Sequence, residues 1–490
     1  MKTAENIHKF GEIAIPKLLA LLKVKDEYIK YRAVRTLELY DNLSEKYLDD
    51  MGDALINGEL WLAPYVAKIG SDKAVNILIE AIKRNKEQES TLTHSFEKLG
   101  SKCIPALIQL LECNVDCDES LLYTVSTIFG FLEKDAISAV PLLDSLAISK
   151  NNSITSRKFS IVSLGNIGIY AQTVDKDLYK VWENENQLFS KEVTTALLEM
   201  KSPLASELYE NKLIQADSTY DKILALRDLS SLGFVANKAG KTILKFLNDE
   251  DWDLRVAAAR TVGFIDYKPA IPELEKLLYY ENDWRLNYVS ILSLEMLQAG
   301  EAIPHLKNIE SNHWYSLIRE AARKTILKLT DSKQETNLNI YSTFGNYFFN
   351  YESDGNRISN CIFEGDINQN RLACWNGTLI GEDKGEWGGS LKFIYSNGKH
   401  RSLIDDNIHA IYNFNNNIIV LAGSAHLDIN RGIVYKLHRV ANHILVTKIL
   451  ILPGAPISLK KINVNEIMIA TIGGTVILSK DLKLRQAICK

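Results

Sequence analysis

The sequence predicts an α-α superhelix over residues 1–330, then a polar linker at 331–339 and an all-β domain over 340–490. Three observations lead there. Two independent positions recur every 32 residues between 239 and 329, and the helical period stops after Leu329. Beyond it, short runs rich in Ile, Val, Tyr and Phe alternate with Asn and Gly clusters, the pattern of short strands and turns.

The repeat is clearest when AGKTILKFL (from Ala239), AIPELEKLL (from Ala270) and AIPHLKNIE (from Ala302) are aligned, which brings Gly240, Pro272 and Pro304 into register. Each opens an amphipathic run: Ile243, Leu244 and Leu247, then Leu274, Leu277 and Leu278, then Leu306 and Ile309. Proline suits the first helical turn, where its missing N–H would have had no intrahelical partner. Fifteen residues on, a second helix starts in each unit, with Arg255, Asn287 and Arg319 in register. Small residues follow (Ala258, Ser290, Ala322), then apolar ones (Val262, Leu294, Ile326). A single pair of such helices cannot bury its apolar faces, and stacking on the next pair does so.

Upstream the same order drifts. Ile15-Pro16 is followed by Arg32, Ile104-Pro105 opens IPALIQLL, and Val140-Pro141 is followed by Arg157, Ser160, Leu164 and Gly165. Residues 74–82 and 223–232 read as degenerate members, giving about eight to nine helix pairs with longer connections near 42–60 and 170–220.

These residues resemble the HEAT-repeat family, in its short, bacterial, phycobilisome-lyase-like variety, over residues 1 to about 330. The resemblance implies an Asp–Arg ladder across adjacent repeats. Asp253 with Arg255, and Arg319, stand where it would run, and Asn287 departs from it. Arg255 and Arg319 therefore belong either to such a ladder or to a partner-binding surface. The aromatics Trp252, Trp284 and Trp314 pose the same choice. Trp252 and Trp284 stand 32 residues apart, as staples within each helix pair or as anchors for a bound partner.

Past the linker, strands are expected at 359–363, 371–375, 390–395, 409–414, 418–423, 433–438, 443–452, 467–472 and 475–479. Turns are expected at Asn376-Gly377, Asn397-Gly398 and Gly473-Gly474, which supply positive φ. About a dozen strands fit an open, propeller-like array or a sandwich, and three blades of about four strands would not close a ring. The WD signature is absent.

The net charge is −4, divided as 16 Lys+Arg against 12 Asp+Glu from residue 340 on, and 41 against 49 before it. That balance argues against nucleic-acid binding. The N-terminus lacks a signal-peptide pattern and no apolar run is long enough to span a membrane, so a cytoplasmic protein is expected. Six cysteines without regular spacing suggest unpaired thiols, and Cys113 and Cys117, with Cys103 nearby, lack the second ligand pair a zinc site needs. Gly240-Lys241-Thr242 is not a phosphate loop, because Val235 replaces the required first glycine. The densest polar cluster is Asp405, Asp406, His409, His426 and Asp428, where acid–base chemistry competes with ordinary surface hydrogen bonding. No nucleophile elbow, zincin pair or dinucleotide loop occurs, and no cofactor is expected.

The expected function is accordingly a non-catalytic scaffold that grips a protein partner on the concave face of the solenoid, with the β domain as a second contact. Two alternatives are an immunity or defence-operon protein that neutralises a bacterial toxin, and a chromophore or cofactor lyase, which the family resemblance implies.

Overall fold

The computed structural model describes residues 7–37, 39–40, 44–85, 89–113, 117–280, 282–330, 370–414, 417–426, 429–441 and 443–488. The expected linker at 331–339 and strand at 359–363 lie outside them. The chain divides into two compact units, 1–239 and 240–490, the second combining the last helical repeats with the β strands.

In both units the helices follow one another as pairs. The first helix of a pair opens on proline at Pro16, Pro105, Pro141, Pro203, Pro272 and Pro304, each within the first turn, whereas Pro64 opens a second helix, Ala63–Ile69. The second is capped by a side-chain oxygen that accepts backbone N–H groups, from Asp118, Ser153, Ser218, Asp251 or Asp283. Each such cap contributes about 1 kcal/mol. The stretches expected to be long connections are helical instead. Residues 42–60 hold the helix Leu48–Ile56, and 170–220 hold Asp175–Glu199 and Pro203–Gln215. Asp175–Glu199 is interrupted at Glu185 and Phe189, so it supplies both members of a pair without a proline between them.

A backbone signature marks the repeat better than any side chain. Positive φ recurs at Gly70, Gly100, Glu133, Gly168, Lys201, Gly233, Asp266 and Gln298, at intervals of 30 to 35 residues. After Leu198, Gly263 and Glu295 the chain turns back with matching bonds: Ser202 N–H to Leu197 O, Tyr267 N–H to Val262 O and Ala299 N–H to Leu294 O, each 3.0 Å. This closure ends a helix and satisfies its last carbonyls.

Neighbouring second helices approach closely where the sequence is small. A Cβ on Gly165 would lie 2.8 Å from Ala196 Cα, and one on Gly263 would lie 2.9 Å from Ser293 Cα. Hydroxyls cross the same seams: Ser126 Oγ donates to Phe159 O (3.1 Å) and Ser293 Oγ to Ala259 O (2.7 Å).

One expectation about cysteine fails. Cys113 and Cys117 form a disulfide across the connection between the helices Ile104–Leu111 and Glu119–Leu132. Their Cα atoms stand 5.7 Å apart, within bonding range, because the two helix ends meet there. Cys103 remains a buried thiol, its pKa pushed up to about 12 by burial.

The β strands form three four-stranded antiparallel meanders. The first contains β1 (Arg371–Cys374), β2 (Gly377–Asp383), β3 (Gly389–Tyr395) and β4 (His400–Ile404). The second contains β5 (Ile408–Phe414), β6 (Asn417–His426), β7 (Ile429–Val440) and β8 (His443–Leu452). The third contains β9 (Pro456–Asn463), β10 (Glu466–Thr471), β11 (Gly474–Ser479) and β12 (Leu484–Gln486). Among the described residues no sheet closes into a barrel. The second sheet is apolar on both faces. Ile418, Val420 and Ala422 of β6 join a core with Leu379, Leu391 and Phe393, whereas Ile419 and Leu421 join Leu459, Ile467 and Val476. Burial on both faces explains why β6 reads as an unbroken apolar run rather than an alternation.

Two turns differ from expectation by one residue. Cys374 pairs with Gly377, so the loop is Trp375-Asn376, with φ 50° and 62°; Thr471 pairs with Gly474, so the loop is Ile472-Gly473. Gly377 is needed beside the turn, because a Cβ there would lie 2.4 Å from Ile394 O.

Glu133 occupies φ 45°, ψ −119°, where Gly168 and Gly233 occupy the equivalent turns. Glu133→Gly is expected to raise stability by about 1–2 kcal/mol, read from the denaturant midpoint. Gly263→Val is expected to lower it by about 1–3 kcal/mol, since Ser293 can yield only by separating two helices.

Candidate interaction sites

The aromatic row of the last repeats meets the β strands of the same unit. Trp284 is 3% exposed, and its Nε1–H donates to Leu452 O of β8 at 3.1 Å. Ile451 N–H of the same strand donates to Asn282 O at 3.0 Å. Trp314 stacks between His313 and Tyr315 and packs on the core shared by the second and third sheets. Tyr315 is buried against Trp284, and Ser316 N–H donates to Gln486 Oε1 of β12. Trp252 receives Lys448 of β8 over its ring at 5.4 Å and Arg255 at the same distance.

The register arginines close off helix ends. Arg319 donates to His313 O, and Asn287 donates to Leu277 O, Leu278 O and Tyr280 O, carbonyls left over where the preceding helix stops. Arg157, at the same position upstream, donates to Ala147 O and pairs with Glu185 through both oxygens. Arg255 stacks on Trp252 and Tyr280 and donates to the Tyr280 hydroxyl. The cross-repeat ion pair is made two positions before the register residue. Arg285 donates to Asp253, 32 residues earlier, at 2.7 Å, and to both oxygens of buried Asp283. Burial opposes charge on Asp253, but Arg285, Lys448 and Arg431 outweigh it and hold the carboxyl below its usual range. Burial likewise opposes charge on Arg285, and its two carboxylates, Asp283 and Asp253, more than offset that and raise its affinity for the proton.

Polar residues of the β strands and their loops gather around the turn between β2 and β3. His409 places Nε2 3.0 Å from Gly423 O and Nδ1 3.5 Å from Asp383 Oδ2, and His426 places Nε2 3.3 Å from Glu386 Oε2. Asp406, 6% exposed, accepts from Arg431 Nη2 at 2.8 Å and from Asn407 N–H at 2.9 Å through one oxygen; burial raises its pKa despite the arginine. Asn407 clamps the turn from both sides, accepting Lys384 N–H and donating to Gly385 O. Asp405 is exposed, and Asp428 lies outside the described residues. Asp383, Glu386 and Arg431 join this cluster from other strands and loops, so their sequence positions do not announce them, and Asn407 joins it beside Asp406 as a neutral side chain. The arrangement holds a turn that carries Trp387 at 83% exposure. Among the described residues no three His, Cys, Asp or Glu side chains converge as a metal site.

A groove of about 460 Å³ crosses three successive second helices in the first unit. Glu119–Leu132 contributes Glu119 and Tyr123, Ile154–Ile167 contributes Lys158, Phe159 and Val162, and Asp175–Glu199 contributes Lys191, Glu192, Thr195 and Glu199. Lys158, Val162 and Asn166 recur 33 residues later as Lys191, Thr195 and Glu199, so adjacent repeats present the same positions to it. That spacing was the available signal in the sequence. Tyr123 is 54% exposed beside it, and Phe159 is buried beneath.

Trp284→Ala is expected to cost about 3–5 kcal/mol in unfolding, and Trp284→Phe about 1–3 kcal/mol through the orphaned Leu452 carbonyl. Asp253, with its lowered pKa, contributes stability above the ordinary aspartate value; this is lost as pH falls below about 4 towards the folded-state value. Asp253→Asn is expected to flatten that acid limb in a tryptophan-fluorescence titration.

The sequence family described as HEAT repeats matches residues 208–295 and 240–326. No curated protein sequence matches the chain significantly. Among solved structures, importin beta aligns with 66% of this chain and 54% of its own at 10% identity and TM-score 0.38. The complex of CpcE and CpcF of phycocyanin lyase from a Nostoc species aligns over 58% and 94% at 17% identity and TM-score 0.26. Raptor from Chaetomium thermophilum aligns over 93% and 52% at 11% identity and TM-score 0.29. This chain therefore spans about half the length of the importin beta chain it matches. No helix among the described residues is long and apolar enough to cross a membrane. The run from residue 208 to residue 326 consists of HEAT repeats.

Proposed function

We propose that the chain is a non-catalytic interaction scaffold that holds a protein partner on the face formed by its second helices. The groove over Phe159 and Val162 carries this reading. It has an apolar floor, a charged rim and contributions from three consecutive repeats, the anatomy of a surface that takes a protein segment. Solenoids provide such surfaces because each repeat adds the same positions to a continuous face. The three meanders of the β domain read as an open, propeller-like array, and the clamped turn carrying Trp387 gives it a second contact. Exposed tryptophan on a preorganised loop loses little conformational entropy on binding.

The test is photo-crosslinking in cells. A benzophenone amino acid at Val162 or Thr195 of the full chain is expected to yield a discrete protein adduct, absent with the same label at exposed Glu301. Labels at Val162 and Thr195 that give no adduct above the Glu301 background would contradict the reading.

A further inference from the structure

We infer that the groove of the first unit takes a cationic amphipathic helix, an apolar anchor seated on Phe159 and Val162 with Lys or Arg beside it. This rests on the scaffold reading and specifies the partner.

Three features of the groove fit that occupant. The floor is apolar, since Phe159 is buried and Val162 half-buried, with Tyr123 and Thr195 also lining the groove. Gly165 lets the helix Asp175–Glu199 approach within contact of Ile154–Ile167, so the floor is continuous across two repeats. Such a trough matches the apolar face of a helix better than an extended strand, which would need unpaired sheet-edge groups.

The rim then selects charge. Glu119, Glu192 and Glu199 stand against Lys158 and Lys191. Lys158 is already matched, 3.6 Å from Glu119 and over the Phe159 ring. Glu192 and Glu199 stand two helical turns apart on one face, with Thr195 between them. The wider field agrees. Residues 101–200 carry 8 Lys+Arg against 13 Asp+Glu, net −5, more than the net charge of the whole chain. With Glu119 matched by Lys158, Glu192 and Glu199 face Lys191 alone, and this net negative rim around an apolar floor favours a basic segment over an acidic one, through steering and through charge pairs at the edge.

The experiment uses the full chain and three fluorescein-labelled 20-residue helical peptides that share one Leu/Phe face and differ only in flanking Lys, Gln or Glu. In fluorescence anisotropy the Lys peptide is expected to bind about tenfold or more tightly than the Glu peptide at moderate salt. The double variant Glu192→Lys/Glu199→Lys is expected to reverse that order. Val162→Glu separates anchoring from bulk attraction, because it removes the apolar seat while adding negative charge. Weaker binding of the Lys peptide to this variant supports the inference, and unchanged or tighter binding overturns it. Circular dichroism and thermal midpoints matching the parent chain establish that each variant is folded. Should the Glu peptide bind as well as the Lys peptide, and lose affinity in Val162→Glu, the charge assignment falls while the scaffold reading stands. Binding of none of the three overturns the inference, and the crosslinking result then decides the scaffold reading separately.

Discussion

The separation between successive second helices governs the rest of the helical region. It is set by residues too small to hold the helices apart: Gly165 against Ala196, Gly263 against Ser293. At that separation Ser126 and Ser293 reach carbonyls of the neighbouring helix, so the seam is tight and its polar groups are satisfied. Side chains at matching positions of consecutive helices then merge into one surface instead of standing as separate ridges. The groove over Phe159 and Val162 is a consequence of that spacing.

In the second unit the same architecture is turned inward. Trp284 and Trp314 meet the β strands, and Asp253, Arg285 and Asp283 form a charge network beside them. Network and aromatics are interdependent. Arg285 is held between two carboxylates, and Lys448 serves both Asp253 and the Trp252 ring. Removing one charge from a partly buried network leaves its partners uncompensated, which is why such groups act together.

The proline and arginine register made the last repeats legible, because each of those residues has a local duty: Pro272 and Pro304 open helices, and Asn287 and Arg319 close the helices before them. The repeats at 42–60 and 170–220 stayed hidden. Pro64 and Pro203 are present, but the turns that close the helix pairs of these stretches are backbone conformations that Gly70, Lys201 and Gly233 adopt equally. A turn in which lysine, aspartate and glutamine substitute for glycine leaves no residue signature. In the β domain β3, β5 and β6 were visible as apolar runs. By contrast β4 (HRSLI) and β9 (PISLKKIN) are mostly exposed and carry no apolar run to mark them as strands. The site residues divide the same way. His409 and Asp406 could be picked out because they are neighbours in sequence, whereas Asp383, Glu386 and Arg431 join them only through strand pairing and the loops between strands.

The central claim is that the second-helix face of the first unit is the contact surface. Amide hydrogen exchange of the full chain, alone and with the protein captured at Val162, tests it most directly. The account predicts slowed exchange in Glu119–Leu132, Ile154–Ile167 and the later half of Asp175–Glu199. Slowing confined to the β strands between 371 and 486, with those three helices unchanged, would contradict it.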